Sequence, residues 1–278
     1  MFKTENYYHL EYIGEAGITQ TCLISLCNLI QVYPDLNYAL LLTNQQTHAF
    51  ILRNSIDSYY IVRSGFSSGY PGEGPKGLAT ALSLLKKHQI ETEEIEVSSK
   101  IINKLNHSSL SDVDIDTIFN QKIIRPIRLH DYIYPFRKEI AEAENPKRYY
   151  PLELPYSILD DRIFDLALLF KQDPDSALLK AYKRLEDIVR TRTGLSEHSS
   201  KLFSQAFLPP KACLTWDLPD NSEIDGRANL FTNTYKAFRN ARTHREKDEN
   251  QIHQFREFLL INELYLLERE AFPIKSEV

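Results

Sequence analysis

The stretch ENPKRYYPLELPY, Glu144–Tyr156, divides the chain. It holds Pro146, Pro151 and Pro155. Each proline lacks the N–H that a helix interior needs and pushes the residue before it out of the helical region. No helix runs through this stretch, and the hydrophobic patterning differs on its two sides. The 278 residues therefore read as two domains, 1–145 and 151–278.

On the N-terminal side, YALLLT, HAFILR and SYYIVRS are short β-rich runs separated by NQQT and NSID. They predict an antiparallel meander. LATALSLLKKH places Leu78, Ala81, Leu82 and Leu85 on one helical face, and TEEIEVSS predicts a further strand. This half is expected to be an α/β or α+β domain. Between meander and helix lie Gly65, Gly69, Gly72, Gly74 and Gly77, five of the nine glycines. The last three spell GxGxxG, but the preceding strand is expected to end near Arg63, so a long loop intervenes. A dinucleotide site has its first glycine directly after a strand and an acid at the end of the next. A structural turn with Pro75 opening the helix explains the same letters. A third reading is a sensor loop, with Gly69, Gly72, Glu73, Gly74, Lys76 and Gly77 as its ligand-contacting residues.

Beyond the boundary the periodicity is helical. SILDDRIFDLALLFKQ aligns Ile158, Ile163, Leu166 and Leu169, with Ser157 as candidate N-cap. DSALLKAYKRLEDIVRTRTG stops at Gly194, a residue suited to a left-handed helix end. ANLFTNTYKAFRN and QFREFLLINELYLLEREA predict two more helices.

Composition narrows the function classes. The chain is 42% hydrophobic and 26% charged, with net charge −5, which disfavours non-specific coating of nucleic acid. Cys22, Cys27 and Cys213 form neither a disulfide framework nor a metal-ligand spacing, so no metal and no cofactor are expected. The start, MFKTENYYHLEY, does not read as a signal peptide. CLISLCNLIQV is about half of the ~20 residues a membrane span needs, so a cytoplasmic protein without membrane contact is expected.

Against that acidic balance, YKAFRNARTHREKDE gathers Lys236, Arg239, Arg242, His244, Arg245 and Lys247 at the predicted end of the third helix. Cations at a helix C-terminus offset the macrodipole by about 0.3–1 kcal/mol each. The alternative is a phosphate. Metal-free RNA cleavage needs a proton acceptor for the 2′-OH, a cation for the phosphorane and a proton donor for the leaving 5′ oxygen. Histidine serves either proton role, and arginine holds phosphate with a planar fork. Arg239 and His244 are about 140° apart on an ideal helix, so they meet only if the helix frays after Asn240; if it continues, Asn240 and His244 share a face. Glu186 and Asp187 are expected to pair with Lys183 or Arg190 on their own helix, although a carboxylate there could orient Arg239 or His244. Trp216 and Tyr235 are expected to pack in a core or interface rather than stack on a base.

FRNARTH resembles the Arg-polar-x-x-x-His motif of the HEPN superfamily. ALLKAYKRLEDIVRTRTGL, SKLFSQAF and LFTNTYKAFRNARTHR look like successive blocks of its Ymh-like family, over Ser157 to Phe272. The resemblance implies an antiparallel bundle of about four helices and a metal-independent ribonuclease acting as a homodimer through this domain. It implies catalytic Arg239, Asn240 and His244. Lys236, Arg242 and Arg245 would contact RNA. Related segments often carry proline at the position of Ala241. Members occur in toxin–antitoxin and antiphage systems, so a phage-derived trigger, small ligand or antitoxin acting on the N-terminal domain is the implied control. Some members are interaction modules without activity, which keeps a non-catalytic RNA- or protein-binding module as the alternative.

Overall fold

A computed structural model describes residues 9–56, 58–142, 146–240, 242 and 250–274. The chain divides into two compact units, Met1–Pro151 and Leu152–Val278. The division falls inside the proline-rich stretch. Tyr149 and Tyr150 pack on the core of the first unit, which therefore extends past residue 145.

The first unit is α/β. Its strands are β1 (Leu10–Ile13), β2 (Leu36–Asn44), β3 (Thr47–Asn54), β4 (Tyr59–Ser67) and β5 (Glu91–Glu96). They form one sheet in the order β1-β4-β3-β2-β5. β2, β3 and β4 make the expected antiparallel meander, while β1 runs parallel to β4 and β5 parallel to β2. The helices are α1 (Thr19–Val32), α2 (Glu73–Lys87), α3 (Ser99–Asn106), α4 (Asp112–Phe119), α5 (Leu129–Ile133) and α6 (Arg137–Glu142). The continuous apolar run of β2 follows from burial of both sheet faces. Ala39 and Leu41 point into one core, with α1 and α2. Leu40 and Leu42 point into the other, with α3 and α4.

The glycine region departs from the sequence reading. β4 continues to Ser67, so Gly65 lies inside the strand and the connection to α2 is only Ser68–Gly72. A Cβ on Gly65 would lie 2.5 Å from the Cys22 sulfur, and one on Gly77 would lie 2.0 Å from Cγ2 of Thr19. These two glycines let α1 pack closely on β4 and α2. Only Gly69 has a left-handed backbone among the five, with φ of 85°.

The second unit is helical. It comprises α7 (Phe164–Phe170), α8 (Pro174–Thr193), α9 (Ser199–Phe207), α10 (Asn221–Thr234) and α11 (Gln251–Glu270) around one core. Asp173 caps α8, with Pro174 in its first turn, and Gly194 ends it at φ 71° as expected. The expectation for Ser157 is corrected. Tyr156–Ile158 and Asp161–Ile163 are separate 3₁₀ turns, Asp160 accepts the capping bond from the Arg162 amide, and α7 starts only at Phe164. Ile158 is accordingly exposed, whereas Ile163 and Leu166 are buried. Arg162 and Arg192 both bind the fully buried Glu268, tying α7's approach and the end of α8 to α11.

Candidate active site of the helical unit

The basic segment leaves α10 through a π turn, Tyr235–Arg239, closed by the Asn240 amide on the Tyr235 carbonyl. Asn240 and Arg242 are helical, while 241 and 243–249, where fraying would bring His244 back beside Arg239, lie outside the described residues. One extra residue in the turn re-aims the side chains that follow, and such turns often mark functional sites. Tyr235 anchors it. The ring is fully buried, lies edge-on to Tyr182 and against Phe203, and its hydroxyl donates to the Tyr182 carbonyl at 2.7 Å. Burial pushes the Tyr235 phenol well above its ordinary pKa, so it stays a neutral donor. Trp216 is buried as well. It stacks on Phe207 and donates its indole N–H to the Leu267 carbonyl, so both aromatics are core residues, as expected.

Arg239 turns back toward α8. Its Nε lies 3.5 Å from Oε1 of Glu186, a residue only 4% exposed. At that distance the contact is an ion pair rather than a close hydrogen bond. The expectation that Glu186 pairs on its own helix is therefore overturned for that residue. Asp187, one position on, does pair with Arg190 at the surface. Asn240 accepts a hydrogen bond from the Ser199 hydroxyl at 3.3 Å. Lys236 is exposed, and Phe238 beside Arg239 is 38% exposed.

Arg242, expected to contact RNA, is committed elsewhere. Its guanidinium forks onto both carboxylate oxygens of Glu257 at 2.7 and 2.5 Å, and its Nη1 binds Asp175 at 2.6 Å. Glu257 also accepts from the Tyr182 hydroxyl. Burial alone would pull the Arg242 pKa down, but Glu257 and Asp175 raise it, so the cation is locked in place. Part of the positive charge of this segment thus answers to carboxylates that α8 and α11 bury, a cause that neither the helix-dipole nor the phosphate reading contains. His244 and Arg245 lie outside the described residues.

In the first unit, Gly72 is the N-cap of α2, and Glu73, Gly74 and Lys76 form its first turn rather than a loop. Gly77 faces Thr19. Of the expected ligand loop, Gly69 borders a cavity of about 720 Å³ with Tyr70 and Pro75. Among the described residues, no group of His, Cys, Asp and Glu could hold a metal ion, and no helix is long and apolar enough to cross a membrane.

A family described as "Protein of unknown function (Hypoth_ymh)" matches residues 166–267, inside the helical unit and less than half of the chain. None of the curated proteins compared matches. One chain of a solved structure, "Respiratory complex I from Thermus thermophilus", is similar at 17% identity and a TM-score of 0.37, over 44% of this chain and 98% of that one. A likeness of that size carries no argument about fold or function.

Proposed function

We propose that the helical unit is a metal-independent endoribonuclease of HEPN type, a cytoplasmic antiphage-defence or toxin effector that the first unit restrains. The observation that carries this reading is the pairing of Arg239 with buried Glu186, next to Asn240, on an anchored π turn. That arrangement holds a permanently charged fork in one direction before any substrate arrives, which electrostatic stabilisation of a phosphorane requires. Asn240 offers an amide to a phosphate oxygen, and exposed Lys236 draws in the RNA backbone. His244 supplies the proton transfers. The 2′ oxygen attacks phosphorus as its proton passes to a base, the bond to the 5′ oxygen breaks, and that oxygen is protonated, leaving a 2′,3′-cyclic phosphate. One chain carries one such histidine, so a homodimer through the helical unit provides the second proton-transfer group.

The same Arg239–Glu186 pair favours a second reading, a non-catalytic RNA- or protein-binding module in which Arg239 only ties π turn to α8. Cleavage of a defined RNA by wild type, Arg239→Ala and His244→Ala separates the two. The nuclease reading requires activity in wild type and its loss in both variants with helicity retained. An inactive wild type, or an active His244→Ala, removes it.

A further inference from the structure

The first unit contains a buried polar relay that ends at the cavity beside Gly69. Glu94 on β5, 3% exposed, accepts bonds from Thr43 (2.6 Å), Tyr132 (2.8 Å) and Arg128 (2.9 and 3.0 Å). Burial would raise its pKa, but those donors outweigh it and hold the carboxyl below its ordinary value. Glu94 is therefore a carboxylate that only accepts. The single Thr43 proton goes to Glu94, so Thr43 Oγ1 must accept from His48 Nδ1, 2.9 Å away. His48 is fully buried, and burial lowers its pKa to about 4, so it is neutral and carries its one proton on Nδ1. Nε2 is then a bare acceptor, and the Ser68 hydroxyl, 2.8 Å away, must donate to it. Four buried or half-buried groups thus fix one proton, on Ser68, at the edge of the cavity.

The consequence is chemical selectivity. Ser68 turns its lone pairs, not its proton, to a ligand. Asp131, exposed on α5, borders the same cavity and also only accepts. Arg128 borders it too, and its Nη1 takes no part in the fork on Glu94. Pro75, Leu78 and Phe136 supply apolar wall. The volume of about 720 Å³ lies within the ~300–1,000 Å³ range of small-molecule sites. A ligand with several negative charges fits poorly, because Glu94 takes up much of the charge of Arg128 and Asp131 adds a negative one, whereas a single carboxylate needs only the Arg128 Nη1 that lies outside the fork. A serine nucleophile fits poorly as well, because a histidine titrating near 4 is a weak base at neutral pH.

We propose that this cavity binds a zwitterionic small molecule, a free α-amino acid with an apolar or aromatic side chain. Its ammonium meets Ser68 Oγ and Asp131, its carboxylate meets Arg128, and its side chain lies against Pro75, Leu78 and Phe136. The inference stands whether or not the helical unit cuts RNA.

Isothermal titration calorimetry of the full chain tests it with five probes: L-phenylalanine, L-leucine, N-acetyl-L-phenylalanine, L-phenylalaninamide and adenosine monophosphate. At least one free amino acid should bind. Removing either charge from phenylalanine should weaken binding by roughly tenfold or more, the size of one charge-assisted hydrogen bond. Asp131→Asn, at an exposed position that the fold does not depend on, should weaken the free amino acid by a similar factor and leave the N-acetyl derivative unchanged. No binding of either free amino acid overturns the proposal. So does tighter binding of adenosine monophosphate, or an Asp131→Asn variant with wild-type affinity.

Discussion

Replacing Arg242 by alanine should destabilise the helical unit far more than a surface arginine would. Its side chain is 8% exposed and that of Glu257 is 7% exposed. Arg242 supplies two of the three hydrogen bonds described on the Glu257 carboxylate, the third coming from Tyr182 at 3.1 Å. Without Arg242 a buried negative charge is left with one neutral donor. Removing one partner of a buried ion pair costs about 3–5 kcal/mol, whereas replacing both by apolar residues is often neutral. Arg242→Met with Glu257→Met should therefore regain most of what Arg242→Ala loses. Trp216 is the one tryptophan of the chain and sits 3% exposed in this core, so its fluorescence reports on this unit alone. In a urea titration at a typical slope, the Arg242→Ala midpoint should fall by roughly 2 M. A drop under about 0.3 M, a surface-like effect on the same slope, would mean that Arg242 is not held by Glu257 and is available to RNA after all.

Gly77→Ala should cost about 1–3 kcal/mol by overpacking against Thr19, and adding Thr19→Ser, which removes Cγ2 but keeps the hydroxyl bonded to Gly65, should restore most of it; equal stability of Gly77→Ala and wild type refutes the close contact. Glu186→Gln keeps the shape but removes the charge facing Arg239, and on the nuclease reading should lower kcat by up to roughly a hundredfold with little change in KM; unaltered kcat removes Glu186 from the positioning of Arg239. His48 titrates near 4 when folded against 6.5 ordinarily, so the unfolded chain binds the extra proton first and stability falls as pH drops from about 6.5 toward 4. The full loss is about 3 kcal/mol. Hydrogen exchange of β3 amides at pH 7 and 4.5 should show most of it in wild type and little in His48→Gln; the same pH slope in both variants contradicts the assignment.

What was legible in the sequence follows the physics of each signal. The meander, α2 and α8 combine a clear period with turn or cap residues, and Gly194 marks its helix end by the backbone only glycine adopts readily. α1 carried no such mark: Cys22, Leu23, Leu26, Cys27, Leu29 and Ile30 are all buried, so its apolar positions run together and hide the helical period. β1 is only four residues long and lies at the sheet edge. Within the glycine cluster, the packing glycines Gly65 and Gly77 look the same in sequence as the turn glycine Gly69, because only their neighbours in space distinguish them. The partners of Glu186 and Glu257 leave no mark in the sequence for a related reason, since each ion pair joins residues well beyond the three- or four-residue spacing of a pair on one helix. The Ser68–His48–Thr43–Glu94 relay likewise assembles three strands and a turn from residues that share no motif.

RNA cleaved without a metal through its own 2′-OH carries a signature in the ends of the products. The purified 278-residue chain is incubated with a synthetic RNA in excess EDTA, and the 3′ ends of the products are identified by mass spectrometry. A metal-independent ribonuclease working through His244 gives cleavage that survives the chelator and leaves 2′,3′-cyclic phosphate, in wild type and not in His244→Ala; this is the expected result. Intact RNA, or cleavage that EDTA abolishes, contradicts it.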